Sequence, residues 1–114
     1  METPDRRERG LAGEDLAARF LELEGYEVLC RNVRCADVEV DLLARRGSLL
    51  VLVEVKLRRR GWVRSADAVG EAQRRRLRHA AQALLARHAW AEVVRLDVVG
   101  VDWNGDGELR LQHL

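Results

Sequence analysis

The sequence predicts an α/β domain in which α-helices flank a central mixed β-sheet, with the elements in the order α-β-β-β-α-β-β. Two segments carry apolar residues at helical spacing, and five shorter segments are rich in valine or alternate between apolar and polar residues. The chain has 114 residues, which suits one domain of the most common size, ~100–150 residues. We expect a flexible, polar tail over residues 1–10 and a single domain over residues 11–114.

The first predicted elements are a helix and two strands. Leu11–Glu24 has the apolar spacing of an amphipathic helix, and Gly25 is a typical residue after a helix end. Tyr26–Val33 is rich in strand-forming residues. Residues 37–42 alternate between acidic and apolar side chains, which is the pattern of a strand with one buried face.

A turn and four further elements follow. Residues 45–48, Arg-Arg-Gly-Ser, indicate a tight turn, so the strands on either side should form a hairpin. Leu49–Leu57 is almost wholly apolar, as in a central strand covered on both faces. Val69–His88 returns to helical spacing. Val93–Val101 and Leu109–Leu114 have the composition of strands, joined by an Asn-Gly-Asp-Gly turn.

Composition favours a cytoplasmic location. No run of apolar residues approaches the ~18 of a membrane span, and the polar N-terminal residues lack the apolar core of a signal peptide. Cys30 and Cys35 are the only cysteines, without further Cys or His residues at zinc-ligand spacing. We therefore expect no membrane partner, no disulfide framework and no zinc site.

The basic residues are unevenly distributed. The net charge is only +1, yet arginines cluster in two runs, Arg58–Arg60 and Arg74–Arg76. Of the 20 basic residues, all but Lys56 are arginine. An ammonium differs from a guanidinium in shape, in hydration and in how readily it loses its proton. The exception suggests that position 56 requires an ammonium.

Two carboxylates and this lysine are predicted to converge. Glu54 and Lys56 are two residues apart on the third strand and therefore point to the same face. Asp41 lies about as far before the predicted hairpin turn as Glu54 lies after it. Cross-strand or diagonal neighbours have Cβ atoms ~4.5–8 Å apart, which is close enough to share a cation.

The chemistry of this cluster favours a divalent cation. Carboxylates packed together repel one another and raise one another's pKa, and a bound cation removes this repulsion. Hard oxygen ligands suit Mg2+ or Mn2+, and Mg2+ also accepts water and substrate phosphate oxygens. Lys56 would stabilise developing negative charge or help to activate water. The alternative is an ordinary ion pair of Glu54 and Lys56 on an exposed strand, which contributes ~0–1 kcal/mol.

Two further polar residues fall on apolar helix stripes. Glu14 shares its stripe with Ala17 and Leu21, so it should point inward where an apolar residue is expected. Gln73 lies on the apolar stripe of the second helix, and its amide could reach the same cleft. Each could instead be a buried polar group that the backbone satisfies.

Five short motifs follow one another along the chain. They are Gly13-Glu14, Asn32-x-Arg34, Glu39-Val-Asp41-Leu-Leu-Ala, Val53-Glu-Val-Lys56-x-Arg58 and Arg95-x-Asp97-Val-Val99. In this order they resemble the bacterial YraN-like family of uncharacterised proteins, over nearly the whole chain beyond the tail. That family belongs with the PD-(D/E)XK nuclease superfamily, whose core is similar to those of restriction enzymes and archaeal Holliday-junction resolvases. The resemblance therefore implies a restriction-endonuclease-like fold and a metal site.

The resemblance implies roles for the residues of the central strands. Asp41 corresponds to the first metal-binding aspartate, Glu54 to the second acid and Lys56 to the lysine of the motif. The implied metal ligands are Asp41, Glu54 and the backbone carbonyl of Val55.

The resemblance also bears on the two helices and on the second strand. Glu14 corresponds to the helical acid of the family. Gln73 stands where a lysine is expected on the second helix, although some nucleases of the superfamily use a glutamine there. Glu39 matches the family pattern without an assigned role.

The segment after the third strand is predicted to bind nucleic acid. Arginines would contact phosphates and a tryptophan would stack on bases. These residues are Arg58, Arg59, Arg60, Trp62 and Arg64. The alternative is a solvated loop, and the arginines of the second helix better fit a solvated helix face.

These patterns predict a metal-dependent endonuclease that hydrolyses phosphodiester bonds of DNA. Branched or structured DNA is suggested by analogy with the resolvases alone. Mg2+ or Mn2+ would be the cofactor, and a homodimer would supply one site for each DNA strand. The alternative is a noncatalytic nucleic-acid-binding or assembly module that keeps the nuclease fold. A third class, a structural partner protein, would bind neither metal nor nucleic acid.

Overall fold

Two helices and five strands make up the part of the chain that the structure describes. The structure is a computed structural model; it describes residues 6–58, 70–103 and 109–113, with side chains over residues 12–56 and 70–101. In chain order the elements are α1 (Arg6–Leu23), β1 (Glu27–Cys35), β2 (Val38–Arg46), β3 (Leu49–Arg58), α2 (Glu71–Arg87), β4 (Val93–Trp103) and β5 (Leu109–His113). The predicted order α-β-β-β-α-β-β is confirmed.

The first helix differs from the prediction at its start. It begins at Arg6 rather than Leu11, so residues 6–10, expected in a flexible tail, belong to the helix. These residues are mostly Arg and Glu, which have high helix propensity but carry no apolar spacing that would reveal a helix. Residues 1–5 lie outside the described part. No helix in the described part is long and apolar enough to cross a membrane.

The strands form one mixed sheet in the order β1-β2-β3-β4-β5. Neighbouring strands are antiparallel except for β3 and β4, which are parallel because α2 connects them. Ala36 and Asp37, both with positive φ, join β1 to β2 in a tight hairpin. The predicted hairpin of β2 and β3 turns at Gly47. The predicted Asn-Gly-Asp-Gly turn lies outside the described residues.

The central strand is covered on both faces, as its apolar sequence predicted. Residues 50–53 of β3 are each at most 1% exposed. On one face, α2 covers a cluster of buried residues, here called the α2-side cluster: Cys35, Val38, Val40, Leu43, Leu50, Leu52, Leu77, Ala80, Ala81 and Leu84. On the other face, α1 covers the α1-side cluster: Ala17, Ala18, Leu21, Tyr26, Leu42, Ala44, Val51, Val53, Val99 and Val101.

A polar network connects β4 to Tyr26, the residue that precedes β1. Arg95 donates hydrogen bonds to both carboxylate oxygens of Asp97, at 2.6 and 2.8 Å, and to the hydroxyl of Tyr26 at 2.6 Å. The guanidinium of Arg46 lies 4.5 Å from the centre of the Tyr26 ring. Asp97 is only 5% exposed, so its buried charge is compensated by Arg95, whose pKa is raised by the hydrogen bond to Asp97.

Candidate metal centre

The strands β2 and β3 separate part of the way along their length. Their pairing begins next to the turn, with Arg46 opposite Leu49, and ends with Leu42 opposite Val53. Beyond that point β2 continues to pair with β1, and β3 continues to pair with β4. The two strands therefore diverge, and we call the opening between residues 38–41 of β2 and residues 54–58 of β3 the fork.

The fork coincides with a break in the alternation of β2. Val40 and Leu42 would share a face in a regular strand, yet Val40 packs in the α2-side cluster and Leu42 packs in the α1-side cluster. The break therefore falls at Asp41. The register of β1 and β2 places Asn32 opposite Asp41, and Asn32 has a positive φ of 51°. Both strands thus depart from regular geometry at the same level.

Asp41 closes the base of the fork through a backbone contact. The N–H of Val93 in β4 donates to the carbonyl of Ser48, so the even-numbered residues of β3 direct their backbone groups towards β4. The odd-numbered residues of β3 therefore direct their N–H and C=O groups towards β2. In a continued ladder Val55 would pair with Val40. Instead, the N–H of Val55 donates to Oδ2 of Asp41 at 2.8 Å. The carbonyl of Val55 faces the fork for the same reason.

The electrostatics of Asp41 are those of a crowded carboxylate. Its pKa is raised from the ordinary 3.8 to about 6. Burial is the largest cause, and the hydrogen bond from Val55 opposes it. The remaining causes are the negative charges of three nearby carboxylates, which raise the pKa further: Glu54, Glu14 and Glu39. Burial and the neighbouring negative charges therefore both favour the protonated form of Asp41.

Lys56 pairs with Glu54 on the other arm of the fork. Its Nζ lies 3.3 Å from Oε1 of Glu54, and the two side chains are 26% and 13% exposed. The β2–β3 register, continued by one residue, places Glu54 opposite Asp41. Glu54 and Lys56 therefore line one arm of the fork, with Asp41 at its base. The pair is partly buried, unlike the ion pair of an exposed strand.

Glu14 and Asn32 extend the site towards α1. Nδ2 of Asn32 donates to Oε2 of Glu14 at 3.3 Å. Arg31, one residue before Asn32, forms an ion pair with Asp15, one residue after Glu14. Glu14 is half-buried on the same helix stripe as Ala17 and Leu21, which are fully buried. α1 is therefore attached to β1 at the level where β1 faces Asp41.

Asn32 lies at the candidate site, and like Glu39 it had no role predicted from the sequence. A signal was available, since Asn interrupts a segment of strand-forming residues and is enriched at positive φ. The sequence does not reveal that Asn32 faces Asp41, because that depends on the pairing of β1 with β2.

The donor set fits a hard divalent cation. Among the described side chains, no group of three His, Cys, Asp or Glu residues is arranged to hold a metal ion. Mg2+ is usually bound through only one or two carboxylates, with waters and substrate oxygens completing its octahedron. Asp41, Glu54 and the carbonyl of Val55 would supply two carboxylates and one neutral oxygen. All three are oxygen donors, as Mg2+ or Mn2+ requires.

The remaining predicted site residues are Gln73 on α2 and the basic residues that begin with Arg58. Gln73 is half-buried in the first turn of α2, and no hydrogen bond joins its amide to the fork within the described contacts. Arg58 is the last residue of β3, and its side chain is not described. Outside the described residues lie the other predicted nucleic-acid contacts: Arg59, Arg60, Trp62 and Arg64.

Several bacterial proteins similar to this chain are described as UPF0102 proteins. A model of the uncharacterised protein family UPF0102 matches residues 13–101. A UPF0102 protein of Beutenbergia cavernae is 47% identical over 107 residues, covering 92% of this chain and 91% of the relative. A UPF0102 protein of Symbiobacterium thermophilum is 45% identical over 106 residues, covering 91% and 90%. A UPF0102 protein of Geobacter sulfurreducens is 40% identical over 107 residues, covering 92% and 84%.

Proposed function

We propose that this chain, which belongs to the uncharacterised protein family UPF0102, is a divalent-metal-dependent endonuclease that hydrolyses phosphodiester bonds of DNA. The observation that carries the proposal is the fork. It places the raised-pKa carboxylate of Asp41 opposite Glu54, with the carbonyl of Val55 facing the same opening and Lys56 beside Glu54. Crowded acids beside one ammonium are typical of sites that bind cations and phosphates.

Each residue has a distinct part in the proposed reaction. When bound, Mg2+ or Mn2+ would polarise the phosphoryl group and lower the pKa of water. Asp41, Glu54 and the carbonyl of Val55 would hold the ion. Lys56 would place its ammonium against the negative charge that develops on the phosphoryl oxygens, while Glu54 restricts its position through their ion pair.

Glu14 would act next to these ligands. It contributes to the raised pKa of Asp41, so it is within electrostatic range of the carboxylate. The hydrogen bond from Asn32 fixes one of its oxygens. Held in this way, Glu14 could accept a hydrogen bond from a water molecule at the rim of the fork.

The substrate class follows from the segment after β3. Arg58 and the run that continues from it begin where the fork opens, so the basic groups would lead a polyanion to the site. Trp62 would stack on an unpaired base. Branched or structured DNA offers such unpaired bases, so we expect the protein to cleave it in preference to linear duplex DNA.

The test is cleavage of linear, flapped and four-way-junction DNA, and of the matching RNA, with Mg2+, with Mn2+ and with a chelator. Wild type is compared with Asp41→Asn and Lys56→Ala. Asp37→Asn is the matched control, because it makes the same chemical change in the exposed hairpin turn. We expect metal-dependent cutting by wild type and the control that is lost in the other two variants.

The other outcomes are equally informative. Cutting that persists in Asp41→Asn would refute the proposed site. No cutting by wild type, with intact DNA binding, would identify the noncatalytic nucleic-acid-binding or assembly module. Neither cutting nor binding would identify a structural partner protein.

A further inference from the structure

The two helices differ in charge. α2 contains five arginines and one glutamate, whereas α1 contains four arginines and four acidic residues. Because the helices cover opposite faces of the sheet, the helix layer on the α2 side is the more basic one. Four of the five arginines of α2 lie within its first eight residues, and we call them the arginine patch: Arg74, Arg75, Arg76 and Arg78.

The arginine patch does not stabilise its own helix. All four side chains are exposed, and no ion pair of the described side chains involves them. Basic residues favour a helix mainly near its C-terminus, and like charges three or four positions apart repel. Arg74 and Arg75 both stand at such a distance from Arg78. A bound polyanion would remove this repulsion.

The patch lies at the end of the sheet where the fork opens. The N–H of Glu92, five residues after α2, donates to the carbonyl of Ser48 beside the turn at Gly47. α2 therefore ends near this turn. Its 17 residues span ~26 Å, which is most of the length of β3, ~33 Å for 10 residues. The first turns of α2, which carry the patch, are thus at the other end of β3.

Glu54 and Lys56 lie on the same face of the sheet as α2. Leu50 and Leu52 pack in the α2-side cluster, and β3 pairs with β4 without interruption along its whole length. Because side chains alternate along a strand, Glu54 and Lys56 also point to the α2 side. Val55 accordingly packs against the α1-side cluster. A phosphate group that reaches Lys56 therefore approaches on the face where the patch lies.

We propose that the arginine patch binds the phosphate backbone of a DNA duplex arm beside the site of cleavage. This inference rests on the proposed nuclease function and adds a second contact surface to it. Guanidinium groups donate paired hydrogen bonds to phosphate oxygens. α2 contains no Phe, Tyr or Trp on which an unpaired base could stack, so the patch suits duplex DNA rather than a single strand. Phosphate contacts carry no base specificity, so this binding is independent of sequence.

Fluorescence anisotropy of a labelled duplex tests the contact, with a chelator present so that no DNA is cut. The patch variant is Arg75→Gln with Arg78→Gln, which removes two exposed charges and keeps side chains of high helix propensity. The matched control is Arg19→Gln with Arg87→Gln, since these exposed arginines lie on α1 and in the last turn of α2. At about 100 mM salt, we expect the patch variant to bind at least about tenfold more weakly than wild type. The slope of log K against log salt concentration should fall in magnitude by about two.

The outcomes separate this inference from the proposed function. Patch and control variants that bind equally weakly would overturn the inference, because overall charge would then explain the loss. A patch variant that binds like wild type would overturn the inference alone, whereas a wild type that binds no DNA would overturn the DNA substrate as well. The loss should be the same for two unrelated duplex sequences, and a loss limited to one would contradict a phosphate contact. In urea unfolding the patch variant should be at least as stable as wild type, which excludes misfolding as the cause.

Discussion

The N–H of Val55 donates to Oδ2 of Asp41 at 2.8 Å, in the place where a continued ladder would have used the carbonyl of Val40. The aspartate therefore has a structural part as well as a proposed chemical one. It satisfies a backbone donor that the divergence of β2 and β3 would otherwise leave without its strand partner. Substitutions at position 41 must be chosen so that these two parts are separated.

Asp41→Asn should change the pH dependence of stability. The raised pKa of about 6, against 3.8 ordinarily, means that the folded state favours the protonated carboxyl. The resulting stabilisation is fully present below about pH 4 and is lost as pH rises through about 6. Without metal, Asp41→Asn should lack this loss. The free energy of unfolding of Asp41→Asn, measured in urea relative to that of wild type, should therefore rise from pH 4 to 6 and then level off.

A second variant isolates the hydrogen bond. Asparagine keeps an acceptor for Val55, whereas Asp41→Ala removes it and should cost about 1–3 kcal/mol of the free energy of unfolding. Asp37→Asn should follow wild type across the pH range. An unfolding free energy of Asp41→Asn that falls in parallel with wild type from pH 4 to 6 would contradict the assignment of this titration to Asp41.

Divalent metal should stabilise the folded wild type. At pH 7.5, free Mg2+ or Mn2+ at 100 times its Kd should add about 2.7 kcal/mol, because the unfolded chain lacks the site. Asp41→Asn and Glu54→Gln should lose most of this gain, and Asp37→Asn should retain it. Thermal unfolding with titrated metal measures the effect. An equal gain in all four proteins would place metal binding elsewhere.

Lys56→Arg should lose most of the cleavage activity of wild type. The change keeps the positive charge, but the guanidinium is larger and planar, so its charge would not lie where the compact ammonium lies, 3.3 Å from Oε1 of Glu54. We expect the single-turnover rate to fall by about 10²–10³ if Lys56 meets developing charge, with DNA affinity within about twofold of wild type. An active Lys56→Arg would show that position 56 needs only charge.

Asn32→Gly should reduce the single-turnover rate of cleavage and leave the fold nearly intact. Glycine accepts the positive φ of 51° but removes the amide that holds Glu14. Asn32→Ala removes the same amide and adds about 1 kcal/mol or more of backbone strain. Equal loss of rate in both variants, with loss of stability only in the alanine variant, would identify Asn32 as a positioning residue. A Glu14→Gln change that alters the rate less than Asn32→Gly would contradict this.

Tyr26→Phe should affect stability alone. It removes the acceptor of the 2.6 Å hydrogen bond from Arg95, a charged donor, and should cost about 1.5–3 kcal/mol. Tyr26 immediately precedes β1 and lies away from the fork at Asp41, so rates of cleavage at 20 °C should not change. Urea unfolding and single-turnover assays on the same preparation separate the two effects.

The order of elements was readable from the sequence because each element carries a local signal. The valine-rich apolar run of β3 indicated a strand covered on both faces, and residues 50–53 are buried as expected. The start of α1 was missed because residues 6–10 have helix propensity without apolar spacing. Apolar periodicity indicates a buried helix face, so it does not identify a helical segment whose sequence is polar on all sides.

The sequence by itself determined the family, the order of helices and strands, and the candidate residues Asp41, Glu54 and Lys56. Residue type and spacing are local properties, and they survive in the chain without its fold. The tertiary structure alone decided that Asn32 faces Asp41 and that Arg95 reaches Tyr26, which is 69 positions away. It also decided that Asp41 binds the N–H of Val55, because that contact exists only where two strands separate. Strand pairing and its interruption depend on which segments meet in space, and no local pattern specifies that.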